Sequence, residues 1–294
     1  LLPLFLLFDV LCSFVFRHNK LEERNGLHGK AVLITGASSG IGEYMAYEYA
    51  KRGASLALVA RREDRLQKVG AKARCFGSPD VLVICGDVSS FDDCRKFVNT
   101  TVNHFGRLDH LVNNAGIFNF YSVNWGVEIT KFSPVMDTNF WGSVYPTYFA
   151  MPHLKKTRGK IVVNSSVAAT VHIPTLAFYC ASKAALWSFY EALRAEVEPE
   201  VGITIATLGF VESEMSDGKV MSKEGKMNDG VRIPQVVRET IMGTEACARA
   251  IVGGACRGRR RVTEPQWFKV LAMANYLFPD ILQWVFTFFV DMGP

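Results

Sequence analysis

A chain of 294 residues, about half of them hydrophobic, can bury one large core and leaves no need for several small domains. Its formal net charge of +5 is too modest to argue for nucleic acid. The seven cysteines are scattered and odd in number, and the six histidines form no His-x-x-x-His pair. Disulfide frameworks and metal sites are therefore not expected, and free thiols suit a reducing compartment.

The chain opens with a greasy segment, Leu1 to Phe16, in which Asp9 is the only charge. As a helix it would cover ~24 Å, short of the ~30 Å of a hydrocarbon core. Arg17, His18, Lys20 and Arg24 follow, a pattern that keeps what comes next on the cytosolic side. We read residues 1–27 as a membrane anchor with a basic linker; a cleaved signal peptide and a fold-internal helix are the alternatives.

Next comes Ala31-Val32-Leu33-Ile34, an apolar run of buried-strand type. It leads into Thr35-Gly36-Ala37-Ser38-Ser39-Gly40-Ile41-Gly42 and then a helical stretch that Gly53 is placed to stop. Strand, glycine turn and helix in this order make a dinucleotide-phosphate site: glycines let the backbone approach a pyrophosphate, and the helix amino end offers free N–H groups. The glycine spacing here, Gly-x-x-x-Gly-x-Gly, differs from the usual Gly-x-Gly-x-x-Gly. A purely structural turn is the competing reading.

Further apolar runs recur at 56–59, 81–84, 108–112, 161–163 and 203–206, with room for a crossover helix between each pair. This rhythm predicts an α/β fold, a Rossmann-type doubly wound parallel sheet with helices on both faces, over residues 28–265. After the second run stand Arg61 and Arg62, where an NAD enzyme usually carries an acidic residue. Two guanidiniums suit the 2′-phosphate of NADP(H), unless they only cap a helix or face solvent.

Further along, Tyr179-Cys180-Ala181-Ser182-Lys183 places a tyrosine and a lysine one turn apart on one helix face. An ammonium there would depress the phenol pKa and make it a usable acid/base. Ser166, thirteen residues upstream at the end of a strand, could meet it. Cys180 points away and carries no chemistry.

Together, Thr35-Gly36 with Gly40 and Gly42, Asn113-Asn114-Ala115-Gly116, and Tyr179-x-x-x-Lys183 resemble the short-chain dehydrogenase/reductase family, from about His28 to Pro265. The stretches Tyr47-Glu48-Tyr49-Ala50, Val102 to His110, and Val262-Thr263-Glu264-Pro265 are similar to the plant 11-beta-hydroxysteroid dehydrogenase-like proteins, the oil-body steroleosins. The resemblance implies a catalytic set of Tyr179 as acid/base, Lys183, Ser166 holding the substrate oxygen, and Asn139 anchoring a relay water. It implies cofactor contacts from Gly36, Ser38, Ser39, Gly40, Ile41 and Gly42. Arg61, Arg62, Asp87, Val88, Asn113, Ala115 and Gly116 join them, with Tyr179, Lys183, Val211 and Ser213 at the nicotinamide end. Asn113 equally serves to tie strands together. One departure is Leu208, where the family usually has a proline before Gly209; leucine loosens the constraint on a turn beneath the nicotinamide, with weaker cofactor ordering and simple tolerance as the two outcomes.

Glu214 to Asn228 is polar and reads as a mobile lid over the substrate. Residues 266–294 are dense in aromatics interrupted by Pro279, which suits an interfacial tail, and Arg259 to Arg261 before it could meet anionic head groups. Packing against a partner subunit is the alternative for the tail. The reading is thus an NADP(H)-dependent oxidoreductase for a sterol or other small lipophilic alcohol or ketone, at a lipid-droplet or endoplasmic reticulum surface with its catalytic domain facing the cytosol. Neither a metal nor nucleic acid is expected, and the family implies a homodimer. A surface protein with little turnover and a general carbonyl reductase are the rival readings.

Overall fold

The computed structural model describes residues 26–119, 128–222, 225–228 and 241–291. Of the expected anchor and linker, residues 1–25 fall outside them, while Leu27 is buried in the core. The apolar runs become β1 (Ala31–Thr35), β2 (Ser55–Ala60), β3 (Val81–Cys85), β4 (His110–Asn113), β5 (Lys160–Ser166) and β6 (Gly202–Leu208). Between them run α1 (Gly40–Ala50), α2 (Glu63–Cys75) and α3 (Phe91–Phe105). After β4 come a short helix α4 (Ser133–Met136), a π turn (Asp137–Trp141), α5 (Gly142–Thr157) and, past β5, α6 (Ala177–Val197). The antiparallel pair β7 (Val220–Met221) and β8 (Met227–Asn228) precedes α7 (Thr244–Cys256), β9 (Arg261–Glu264), α8 (Phe268–Leu277) and α9 (Pro279–Asp291).

Seven strands form one parallel sheet in the order β3-β2-β1-β4-β5-β6-β9. Parallel strands buried on both faces need apolar residues at both parities, which is why these segments read as continuous runs. Val32, Ile34, Leu56, Leu58 and Val162 face the layer of α1, α2 and α7. Their neighbours Leu33, Ala57, Val59, Ile161 and Val163 face α3, α5 and α6. Burying each large side chain contributes roughly 1.5–3 kcal/mol.

The order reverses beside β1, where connections leave toward β2 on one side and β4 lies on the other. At such a switch point the carboxyl ends of the strands open a crevice. No helix among the described residues is long and apolar enough to cross a membrane. The six described cysteines are free thiols.

Candidate active site

The turn after β1 is shaped by close approach. Gly36 sits at φ 66°, and a Cβ there would lie 2.8 Å from Ala115 Cα and 2.9 Å from Asn114 Nδ2. A Cβ on Gly42 would come within 2.4 Å of both Gly36 O and Asn114 Nδ2, so this glycine lets α1 press onto the turn. Asn114 fixes the arrangement by donating to Thr35 O (2.9 Å) and Gly36 O (3.2 Å). Ser39, the N-cap of α1, makes no side-chain capping bond, which leaves first-turn N–H groups for an anion.

Above the turn lies a cavity of about 450 Å³. At one end α6 presents Tyr179 and Lys183, and the carboxyl end of β5 presents Ser166. The Lys183 ammonium is buried and donates to Asn164 O at 3.0 Å; it lies 5.7 Å from the Tyr179 ring centre. Burial pulls Lys183 down to about 8 and pushes the Tyr179 phenol up to about 12, opposed by the Ser166 hydroxyl. Withdrawal from water dominates at the phenol, and the Lys183 ammonium is turned toward the Asn164 carbonyl. The Ser166 hydroxyl donates to Leu208 O (3.3 Å) and accepts from Ala168 N–H (3.1 Å).

Asn139 lies in the π turn, a distortion that recurs at functional sites. It accepts from Ile117 N–H (2.8 Å) and donates to Ile117 O (3.0 Å) and Ser182 Oγ (3.0 Å). It thereby clips the segment after β4 to α6. A side chain on Gly116 would stand 3.2 Å from Asn139 Oδ1 and 3.7 Å from Lys183 Nζ, so glycine there keeps the corridor between them open.

At the other end Arg62 lies across the glycine turn. Its Nε–H and Nη2–H reach Ser38 Oγ (3.3 and 3.0 Å), Nη2–H reaches Ser39 Oγ (2.7 Å), and Nη1–H reaches both Glu214 oxygens (3.0 and 2.9 Å). Arg61 pairs with Asp87 at 3.6 Å, and Asp87 also accepts from Ser89.

Most expected residues line this one cavity: Gly36, Ser38, Ser39, Gly40 and Ile41; Arg61, Arg62, Asp87 and Val88; Ala115 and Gly116; Ser166, Tyr179 and Lys183; Val211 and Ser213. Gly42, Asn113 and Asn139 stand behind it. Asn113 turns to the other face and donates to Thr147 Oγ1 and Tyr190 Oη, both at 2.9 Å, so its side chain ties β4 to the helices α5 and α6 rather than strand to strand. Sequence reasoning passed over Asn114 and Asn164, which meet at 2.7 Å under the turn, and Ser182 and Glu214. The Asn113-Asn114 pair carried a signal, since adjacent residues leaving a strand point to opposite faces.

Leu208 ends β6 rather than standing in the turn. It is buried with Val211, Cys247 and Ile251 and stays in register with Glu264, while Gly209 N–H donates to Glu264 O at 2.8 Å. A Cβ on Gly209 would strike the Phe268 ring at 2.0 Å, so α8 seats directly beneath this corner. The polar stretch read as a lid is partly held: Met221 is buried with Phe132 and Val135.

A family model described as short chain dehydrogenase matches residues 30–224. The protein named 11-beta-hydroxysteroid dehydrogenase 1A of Arabidopsis thaliana is 50% identical over 288 residues, 96% of this chain and 80% of that protein. The 11-beta-hydroxysteroid dehydrogenase A of Sesamum indicum is 52% identical over 267 residues, 90% of this chain and 77% of that protein. Among solved structures, a short chain dehydrogenase/reductase of Burkholderia phymatum in complex with NAD superposes with TM-score 0.77 at 22% identity, covering 87% of this chain and 96% of that one. An alcohol dehydrogenase of Thermococcus sibiricus complexed with 5-hydroxy-NADP gives TM-score 0.68 at 26% identity, covering 80% and 94%.

Proposed function

Because the chain belongs to the short-chain dehydrogenase family, we propose that it moves a hydride between NADP(H) and a sterol or other lipophilic alcohol or ketone. The observation that carries this reading is the convergence of Tyr179, Lys183 and Ser166 on the far end of the cavity whose near end is the glycine turn.

The residues present fit a nicotinamide dinucleotide. The glycine turn and the uncapped start of α1 suit its pyrophosphate, Asp87 and Arg61 flank the adenine end, and Val211 and Ser213 reach the nicotinamide end. When bound, it supplies or takes the hydride. The chain's own work is with the proton. Tyr179 holds its proton at neutral pH, as its raised pKa requires, and is ready to give it to a carbonyl oxygen during reduction. Ser166 can donate a second hydrogen bond to that oxygen as charge develops on it. Lys183, buried behind the phenol, stabilises the phenolate left after transfer.

Arg62, poised over Ser38 and Ser39, supports NADP(H) rather than NAD(H). Ile173, Leu176, Phe118 and Phe210 give the substrate end an apolar wall, which suits a lipophilic compound and agrees with the names of the relatives. Contact with a lipid surface is supported by the tail, where Trp267, Val270, Tyr276, Phe278, Ile281 and Trp284 are exposed. The arginines before it contribute less, because Arg260 pairs with Glu198 (2.6 Å) and Arg261 with Glu191 (2.9 Å). Pairing of two copies through α6 is expected from the family.

The test is to follow NADPH and NADH absorbance against a panel of sterol ketones, sterol alcohols and small carbonyls. Turnover of a sterol with NADPH supports the reading, and turnover of small carbonyls alone makes the chain a general reductase. NADPH binding without any turnover leaves a surface protein.

A further inference from the structure

Glu214 follows Ser213 at the nicotinamide end of the chain's path, yet its carboxylate reaches back to the opposite end of the cavity. It accepts both Nη1 bonds of Arg62, binds Arg65, and lies 3.2 Å from Lys219 Nζ. Three cations converge on one anion, and they hold its carboxyl down to about 2. It therefore stays charged throughout the physiological range and does not release its partners by titration. Arg62, meanwhile, has its Nε and Nη2 donors on Ser38 and Ser39 and its Nη1 donor on Glu214. A guanidinium offers five donors in a fixed fork, and here every nitrogen of that fork has an internal acceptor.

We propose that Glu214 is a specificity-determining residue that competes with a nucleotide 2′-phosphate for Arg62, so that the carboxylate sets how strongly the chain prefers a 2′-phosphorylated dinucleotide. The inference rests on the NADP(H) reading above. A phosphate dianion brings more charge and more acceptors than a carboxylate, so exchange at Arg62 is favourable, but by less than at a guanidinium with no resident anion. A nucleotide bearing a 2′-hydroxyl needs no such exchange and is indifferent to Glu214.

The experiment is calorimetric titration of the full chain and its Glu214→Gln variant with NADPH, NADH, 2′,5′-ADP and 5′-AMP. Glu214 is partly exposed, so the variant is expected to fold, and its melting temperature is recorded alongside. NADPH and 2′,5′-ADP should bind about fivefold more tightly to the variant, the scale of one partly exposed ion pair, while NADH and 5′-AMP stay unchanged. In an Arg62→Ala background the effect of Glu214→Gln should vanish. Weaker NADPH binding, an equal shift for all four ligands, or an effect that persists without Arg62 overturns the proposal and leaves Glu214 as a loop clasp. Failure of the underlying reading looks different: the wild-type chain then binds NADH as tightly as NADPH, and Arg62→Ala changes neither selectively.

Discussion

Asn164 and Asn114 meet side chain to side chain beneath the glycine turn, with Asn164 Nδ2 donating to Asn114 Oδ1 at 2.7 Å. Asn114 passes the restraint on to Thr35 O and Gly36 O, and the carbonyl of Asn164 receives the Lys183 ammonium. One hydrogen-bonded chain thus connects the glycine-turn end of the cavity to the end that holds Tyr179 and Lys183.

Replacing Asn114 by alanine removes the fixture of the turn without touching an acid or a base. Buried amide bonds of this kind contribute about 1 kcal/mol each. The variant should bind NADPH roughly tenfold more weakly, with a smaller loss of turnover at saturating cofactor. Titration beside steady-state rates separates the two.

Tyr179→Phe removes the phenol hydroxyl and keeps the ring against Phe118, 4.9 Å between centres. Turnover should fall by about 10²–10⁴, the usual contribution of a positioned acid or base, while NADPH affinity is nearly kept. A variant that still turns over at the wild-type rate refutes the assigned proton donor.

Lys183 carries a stability cost that depends on pH. Its pKa is near 8 in the folded chain and about 10.4 when unfolded, so the unfolded state binds more protons between those values. The cost is fully present below pH 8 and fades as pH rises toward 10.4. Lys183→Met should therefore melt higher than the wild type at pH 7, by about 4 °C, with the gain shrinking by pH 10. Melting curves at the two pH values read it directly, and activity should be lost at both.

Gly209 and Phe268 should be coupled. Gly209→Ala sets a methyl group against the Phe268 ring and should destabilise the chain by about 1–3 kcal/mol. In a Phe268→Ala background the added methyl has room, so the two changes should be strongly non-additive in urea melts.

The sheet was legible because parallel strands buried on both faces carry apolar residues at both parities, and 31–34 of β1, 56–60 of β2 and 161–163 of β5 are unbroken apolar runs. The meeting of Ser166, Tyr179 and Lys183 was legible from helical spacing and a strand end. Which face each asparagine takes was not: strand alternation says that Asn113 and Asn114 part, but not that Asn113 is the one turned to Tyr190 and Asn114 the one turned to the glycine turn. The role of Leu208 needed the packing of α7 and β9, which lie far along the chain. Glu214 was hidden for a related reason, since it looks like solvated polar sequence until folding brings it to an arginine 152 positions away.

The interior position of β1, third of seven strands, has a consequence for synthesis. The sheet is laid down from that strand in two directions, first toward β2 and β3, then the other way through β4. After Cys85 has been made, the second hydrogen-bonding edge of β1 has no partner until His110 to Asn113 arrive, some 25 residues later. At ordinary elongation rates that interval lasts roughly one to five seconds. The strand that leads into the glycine turn, apolar from Ala31 to Ile34, therefore keeps one edge open during that interval, and chaperone dependence of this chain should be concentrated in that window.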